Sequence, residues 1–324
     1  MSEPNIDRRT FLQRGGKAAG FAAFAVAGGF LLREKERHPF SFKEDKPIVR
    51  DLRIAGADPK LVAVHGEDPA RMAAAAIDSL GGIAAFVSSG DFVVIKPNIG
   101  WDRRPEQAAN TNPDVVAEVV RQCIKAGASR VLVTDVTCND ATRCFNRSGI
   151  AAAAREAGAE VQLAEEARFR ETNIGGVMLG RQLVYDAYLE ADKFINIPIA
   201  KHHSLTQATL GMKNLYGILG GNRSRLHQDI HNSLADLANF LRPTLVIMDA
   251  YRILLRNGPQ GGSLSDVEDR RMLIASTDQV AIDAYAGETL FNLSAEEMKW
   301  VTLAESRGLG TSDYASLSFE EITV

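Results

Sequence analysis

Apolar residues along this chain fall into short runs that alternate with longer stretches of helical period. Leu61-Val62-Ala63-Val64 is followed by a helix predicted over 68–80. Phe92-Val93-Val94-Ile95 is apolar throughout, as expected of a parallel strand buried on both faces. Asn112-Pro113 then supplies an N-cap and a proline at the first helical position, opening a helix that runs to 125 and closes at Ala126-Gly127. A strand over 130–134, a helix over 141–157 closed by Gly158, and a short run at 161–163 complete the first half. Strands at 194–198, 244–248 and 272–275, with helices at 233–241, 279–290 and 295–306, carry the rhythm onward. Strand–helix alternation of this kind predicts an α/β fold: a mostly parallel, doubly wound sheet with helices on both faces and Rossmann-like layering.

The N-terminus breaks the pattern. Asp7-Arg8-Arg9-Thr10-Phe11-Leu12 precedes an uncharged, Ala- and Gly-rich stretch from 18 to 32. A charged segment before a modestly apolar one reads as an export signal, and the arginine pair resembles the twin-arginine signal. The stretch is shorter than the roughly 20 apolar residues that a spanning helix needs. Ala25-Val26-Ala27 offers a small-x-small cleavage pattern. The organisation expected is a signal or anchor over 1–32, a charged linker over 33–46 and an α/β body over 47–324, as one domain or as lobes of about 47–165 and 166–324. The partner implied is the twin-arginine export machinery. The location implied is periplasmic or otherwise extracytoplasmic, with a membrane tether if the signal stays uncleaved.

Charge and cysteine usage narrow the chemistry. The net charge of −4 is carried by an acidic body behind a basic leader, and basic residues are not interleaved with aromatics, so nucleic acid is not an expected partner. Cys123, Cys138 and Cys144 form no C-x-x-C pair, which excludes a zinc ribbon or a four-cysteine iron–sulfur site within the chain. Cys138 and Cys144 flank a helix start and are a candidate disulfide in an exported protein.

In open parallel sheets ligands bind beyond the carboxyl ends of the strands. Those ends carry Lys96-Pro97-Asn98, Asp135, Lys201-His202-His203 and Asp249. The densest stretch follows, with Thr209, Lys213-Asn214 and His227-Gln228-Asp229-Ile230-His231. Two chemistries fit these residues. His227 and His231, at i and i+4 on one predicted helix face, are candidate ligands for a divalent or transition metal together with Asp135 and Asp249. Alternatively Lys96, Lys201 and Lys213, with the glycine loops at 220–223 and 257–262, build an anion site. Buried lysines among histidines have depressed pKa values and act as bases.

Taken together and in order, Val94-Ile95-Lys96-Pro97-Asn98, Lys201-x-His203 with Thr209, Lys213-Asn214, Asp249, Gly258-Pro259 and Asp278-x-Val280-Ala281-x-Asp283 resemble the family called domain of unknown function 362 (DUF362). The resemblance implies an α/β fold often found with iron–sulfur modules. This chain has no ferredoxin-like cysteine segment, so an electron-transfer centre would belong to a redox partner protein. A looser likeness, in the strand-Lys/Asn and paired His/Lys, is to nickel-dependent lactate racemase-type proteins. Together these readings point to a redox- or isomerase-type enzyme acting on a small anionic ligand. His203, His202 and Lys201 are the expected catalytic groups, and Lys96, Asn98, Thr209, Lys213, Asn214 and Gly258 the expected substrate-binding groups. The competing class is a non-catalytic ligand-binding or assembly protein that serves an iron–sulfur redox partner.

Overall fold

A computed structural model describes residues 46–324, so the arginine-pair signal, its cleavage position and nearly all of the linker lie outside the described residues. In chain order the strands are β1 (Arg50–Asp51), β2 (Lys60–His65), β3 (Phe92–Pro97), β4 (Arg130–Val133), β5 (Glu160–Val161), β6 (Phe169–Gly175) and β7 (Gly180–Tyr185). They continue as β8 (Lys193–Ile197), β9 (Ile199–His203), β10 (Gln207–Thr209), β11 (Leu241–Arg242), β12 (Leu245–Leu254), β13 (Val267–Ser276) and β14 (Ser318–Thr323). The main sheet runs β14-β2-β13-β12-β8-β3-β4-β5 from edge to edge. Along this path the pairs are parallel except for β13, which is antiparallel to both β2 and β12; off the path, β9 joins β12 in parallel and pairs antiparallel with β10.

The apolar runs explain the layering. Successive side chains of a strand point to opposite faces. On one face Val62, Val93, Ile95, Val131, Val133, Ile195 and Ile247 pack with Met72 and Ile77 of the helix Pro69–Ser79 and with Val116 and Val120 of the helix Pro113–Lys125. On the other, Leu61, Val94, Leu132, Phe194, Val246 and Ile274 pack with the helices Ile230–Phe240, Gln279–Phe291 and Lys299–Ser306. Both faces are buried, which is why strands such as Phe92-Val93-Val94-Ile95 show no polar alternation. The α/β fold with helices on both faces of a mostly parallel sheet stands as expected.

Helix starts follow their caps. Asp68 accepts from the amides of Ala70 and Arg71 ahead of Pro69–Ser79, Asn112 from Asp114 ahead of Pro113–Lys125, and Asp278 from Val280 and Ala281 ahead of Gln279–Phe291. Three elements depart from expectation. The helix predicted over 141–157 is two helices, Ala141–Arg147 and Ile150–Glu156, broken at Gly149 where φ is 76°. The strand expected to end at 248 runs on through Asp249 to Leu254, because β13 continues to pair with it. Lys201-His202-His203 is not a loop but part of β9, which forms an antiparallel hairpin with β10. The β6–β7 hairpin has too polar a pattern to announce itself.

Candidate anion-binding site

The parallel strands β3, β4 and β8 end along one edge, and a cavity of about 340 Å³ opens there. β3 brings Lys96 and, just beyond it, Asn98; the loop after β4 brings Asp135 and Cys138. The β9–β10 hairpin places Lys201 opposite Thr209 in register, with His203 two residues further along β9. The short helix Gly211–Asn214 adds Lys213 and Asn214, and the turn Arg223–His227 closes the mouth with Arg223 and His227.

Three lysines in this cavity are nearly or wholly withdrawn from solvent: Lys96 and Lys201 at 1 % exposure and Lys213 at 6 %. Lys96 is compensated, because its Nζ lies 2.8 Å from Asp135 Oδ1. Asp135 Oδ2 in turn accepts from the Ile99 amide at 2.7 Å. This pair sits under Gly217, where a Cβ would stand 1.8 Å from Asp135 Oδ1 and 2.7 Å from Lys96 Nζ. Lys201 Nζ donates to Asn98 Oδ1 at 3.0 Å and to the Ala109 carbonyl, both neutral acceptors. Among the described residues Lys213 Nζ has no hydrogen-bonding partner and lies 4.5 Å over the Tyr216 ring. Burial pushes Lys201 down to about 7 and Lys213 to about 8, and burial also lowers Lys96 against the pull of Asp135.

A directional chain of amides fixes the cavity floor. Lys201 donates to Asn98, Asn98 Nδ2 to Asn214 Oδ1 at 2.9 Å, and Asn214 Nδ2 to Asn196 Oδ1 at 2.8 Å. Asn196 Nδ2 then donates to the Gly211 carbonyl at 2.9 Å. The amides of Gly211 and Met212 donate to Asp283 at 2.6 and 3.2 Å, as does Trp300 Nε1 at 3.1 Å. Asp283 is fully buried without a cation, and burial raises it to about 7.

His203 takes a narrower role than expected. Its Nδ1 accepts from the Leu205 amide at 3.1 Å and the Thr206 amide at 3.4 Å, so Nε2 carries the proton of the neutral ring. Burial, reinforced by Lys213, His227 and Lys201, lowers it to about 3. The ring is a hydrogen-bond donor at neutral pH, not a base.

Of the residues expected at the site, the cavity gathers Lys96, Asn98, Asp135, Lys201, His203, Thr209, Lys213, Asn214 and His227. Four others are placed elsewhere. His202, its neighbours' side chains facing the cavity, turns away from it; its Nδ1 accepts from the Gly258 amide at 3.1 Å, so both residues brace the 257–262 loop. Asp249 accepts from the amides of Asn112 at 2.7 Å and Tyr251 at 3.0 Å, and thus anchors the cap of Pro113–Lys125. His231 does not share a helix face with His227: His227 ends a 3₁₀ turn, whereas His231 lies in the next helix and stacks on Trp300 with ring centroids 5.9 Å apart. Asp135, His227, His231 and Asp249 are therefore not brought together. Among the described residues no group of three or more His, Cys, Asp or Glu side chains is arranged to hold a metal. The cavity's donors do not fit a metal ion either, since ammonium groups line it and its carboxylate is paired with Lys96. Cys138 and Cys144 are free thiols. The cavity residues outside the segments given to the site from sequence are Gly100, Trp101, Val136, Cys138, Tyr216, Gly217 and Ser224, while Arg223 and Pro259 come from the two glycine loops. Arg223 stood in a noted glycine loop, but nothing local indicated that its guanidinium would cap the cavity.

The sequence profile of the family described as a domain of unknown function (DUF362) matches residues 93–288, spanning every cavity residue named above. The chain belongs to this family. Outside the DUF362 profile match, a curated relative is the "Thylakoid-associated protein sll1697" of Synechocystis, 27% identical over 215 residues. That alignment covers 64% of this chain and 65% of the relative, so the chain spans just under two thirds of the relative's length. Among solved structures, the lactate racemase apoprotein from Thermoanaerobacterium thermosaccharolyticum is similar at a TM-score of 0.41 and 12% identity, over 72% of this chain and 58% of that one. A protein from Thermotoga maritima gives a TM-score of 0.39 and 9% identity over 74% and 60%.

The depressed lysines carry a pH signature. Each binds fewer protons folded than unfolded between its native value and about 10.4, so stability rises with pH through that window, by up to about 1.4 kcal/mol per pH unit per lysine. Lys201 contributes from about pH 7 and Lys213 from about pH 8. Urea denaturation at pH 7.5 and 9.5 is expected to show that gain in the wild type and a smaller gain in Lys213→Met. An identical gain in both proteins contradicts the assignment.

Proposed function

We propose that this chain is an isomerase-type enzyme that moves a proton on a small anionic substrate bound in the lysine-lined cavity. The observation that carries this reading is Lys213: a buried side chain whose Nζ makes no hydrogen bond among the described residues and lies over the Tyr216 ring, in a cavity whose other cations are already oriented. With a pKa lowered to about 8, about a tenth of it is neutral amine near pH 7, which suits a general base far better than an ordinary lysine. Lys201, held by Asn98 and the Ala109 carbonyl, and Arg223, held by the carbonyls of Val136 and Thr137, attract the substrate's negative charge. His203 offers Nε2–H to an oxygen on which charge develops, a role that a neutral imidazole fills without giving up its proton. The burial of Lys96, Lys201, His203 and Lys213 lowers the local dielectric and strengthens each interaction.

The proton-transfer step is tested by solvent exchange, which needs no knowledge of the product. The enzyme is incubated in D₂O with a panel of small carboxylates, and loss of carbon-bound protons is followed by NMR. The wild type is expected to exchange at least one of them, and Lys213→Met to do so about 10²-fold or more slowly. Binding without exchange across the panel contradicts the enzyme reading and favours a ligand-binding protein.

We also propose that residues 1–32 direct the body out of the cytoplasm by the twin-arginine route and that 33–46 link it to the α/β domain. The arginine pair supports this. The thylakoid association in the relative's name supports a place at or beyond a membrane. Among the described residues no helix is long and apolar enough to cross one. Replacing Arg8 and Arg9 by lysine is expected to hold the full-length chain in the cytoplasmic fraction of a cell with an active twin-arginine exporter. Equal export of both proteins contradicts the route.

A further inference from the structure

The cavity's charges do not balance, and the imbalance says what kind of anion fills it. The Lys96–Asp135 pair is neutral as a unit. His203 is neutral, with Nδ1 taken up by backbone amides. Lys201, Lys213 and Arg223 remain; Lys201 donates to an amide oxygen and a main-chain carbonyl, and Arg223 to two main-chain carbonyls and, at 3.9 Å, to Cys138 Sγ. Among the described residues none of the three has a carboxylate within ion-pairing distance. Thr209 Oγ1 is a second, independent sign of a missing ligand: it is 4 % exposed, lines the cavity opposite Lys201, and has no hydrogen-bond partner. Buried polar groups are nearly always paired, and uncompensated buried charge is costly.

Resting on the anion-binding reading above, we infer that the natural occupant is a small dianion, a dicarboxylate or a phosphoryl compound, one charge held between Lys201 and Thr209 and the other by Arg223 at the mouth. Whichever of Lys201 and Lys213 gives up its proton, the other and Arg223 present two positive charges, so a monoanion leaves one unanswered. The cavity volume of about 340 Å³ suits a small ligand. Arg223 joins the site as a specificity-determining residue: its Nη1 and Nη2 are fixed on the carbonyls of Val136 and Thr137, which leaves the guanidinium planar and pre-oriented for an oxyanion.

Isothermal titration of the full chain at pH 7.5 and constant ionic strength tests this. Malonate and its monoamide, malonamate, have nearly the same size and differ by one charge; inorganic phosphate provides the phosphoryl arm. Malonate, phosphate or both are expected to bind at least tenfold more tightly than malonamate, and whichever of the two binds identifies the oxyanion source. In Arg223→Gln the dianion should lose about tenfold while malonamate changes little. Equal affinity for malonate, malonamate and phosphate overturns the dianion inference but leaves the anion site standing. A preference that survives intact in Arg223→Gln overturns the role of Arg223. Failure of all three probes to bind overturns both the inference and the anion-binding reading.

Discussion

The run of hydrogen bonds from Lys201 to Asp283 is the constraint on which the rest of the site depends. Each asparagine amide in it has one oxygen and one nitrogen engaged, and the direction is set at both ends. An ammonium can only donate, which orients Asn98; an unpaired buried carboxylate can only accept while ionised, which draws the amides of Gly211 and Met212. Between them, Asn214 and Asn196 are left one orientation. The chain therefore ties β3, β8, β9 and the helix Gly211–Asn214 into a single rigid floor. A fully satisfied buried network of this kind specifies geometry, whereas a half-satisfied one is worse than an apolar core.

That rigidity is what makes the unsatisfied groups informative. Lys213 stands on the same helix as Asn214, and Thr209 on β10 beside β9, yet among the described residues neither side chain makes a hydrogen bond: Lys213 Nζ lies over the Tyr216 ring and Thr209 Oγ1 has no partner. The cost of burying Lys201 and Lys213 appears as their depressed pKa values. An anion in the cavity offsets that cost and raises both values again, so ligand binding and proton uptake are linked. Lys96 behaves differently because Asp135 is already beside it, and Gly217 keeps the main chain close enough to cover the pair.

Much of this was legible in the sequence, for identifiable reasons. Parallel strands buried on both faces leave unbroken apolar runs, so β3, β4 and β8 and the helices between them could be read directly, and with them the edge that carries Lys96, Asn98 and Asp135. Lys213 and Asn214 were found through the ordered set of motifs that carries the family resemblance. What failed were inferences from local spacing alone. His227 and His231 are four apart in the chain, but a turn ends between them. Asp249 lies at an apparent strand end only because the continuation of β12 depends on the antiparallel β13, a partner that no local pattern names. Trp101 reaches the cavity from a loop and Tyr216 and Arg223 from short 3₁₀ turns, and the placement of such segments follows from long-range packing that residue periodicity does not encode. His203 lines the cavity, and its tautomer is decided by two backbone amides in the β9–β10 turn, which the local sequence does not announce.

The central claim is that Lys201 and Lys213 are buried amines whose charged forms await an anion. Direct NMR titration of the lysine side-chain ¹⁵Nζ and ¹³Cε resonances, with and without malonate or phosphate, tests it most closely. The account predicts midpoints near 7 and 8 for Lys201 and Lys213 in the free protein, both moving upward when the anion is added. Midpoints that stay at the ordinary lysine value in the free protein, or that do not move with saturating ligand, contradict it.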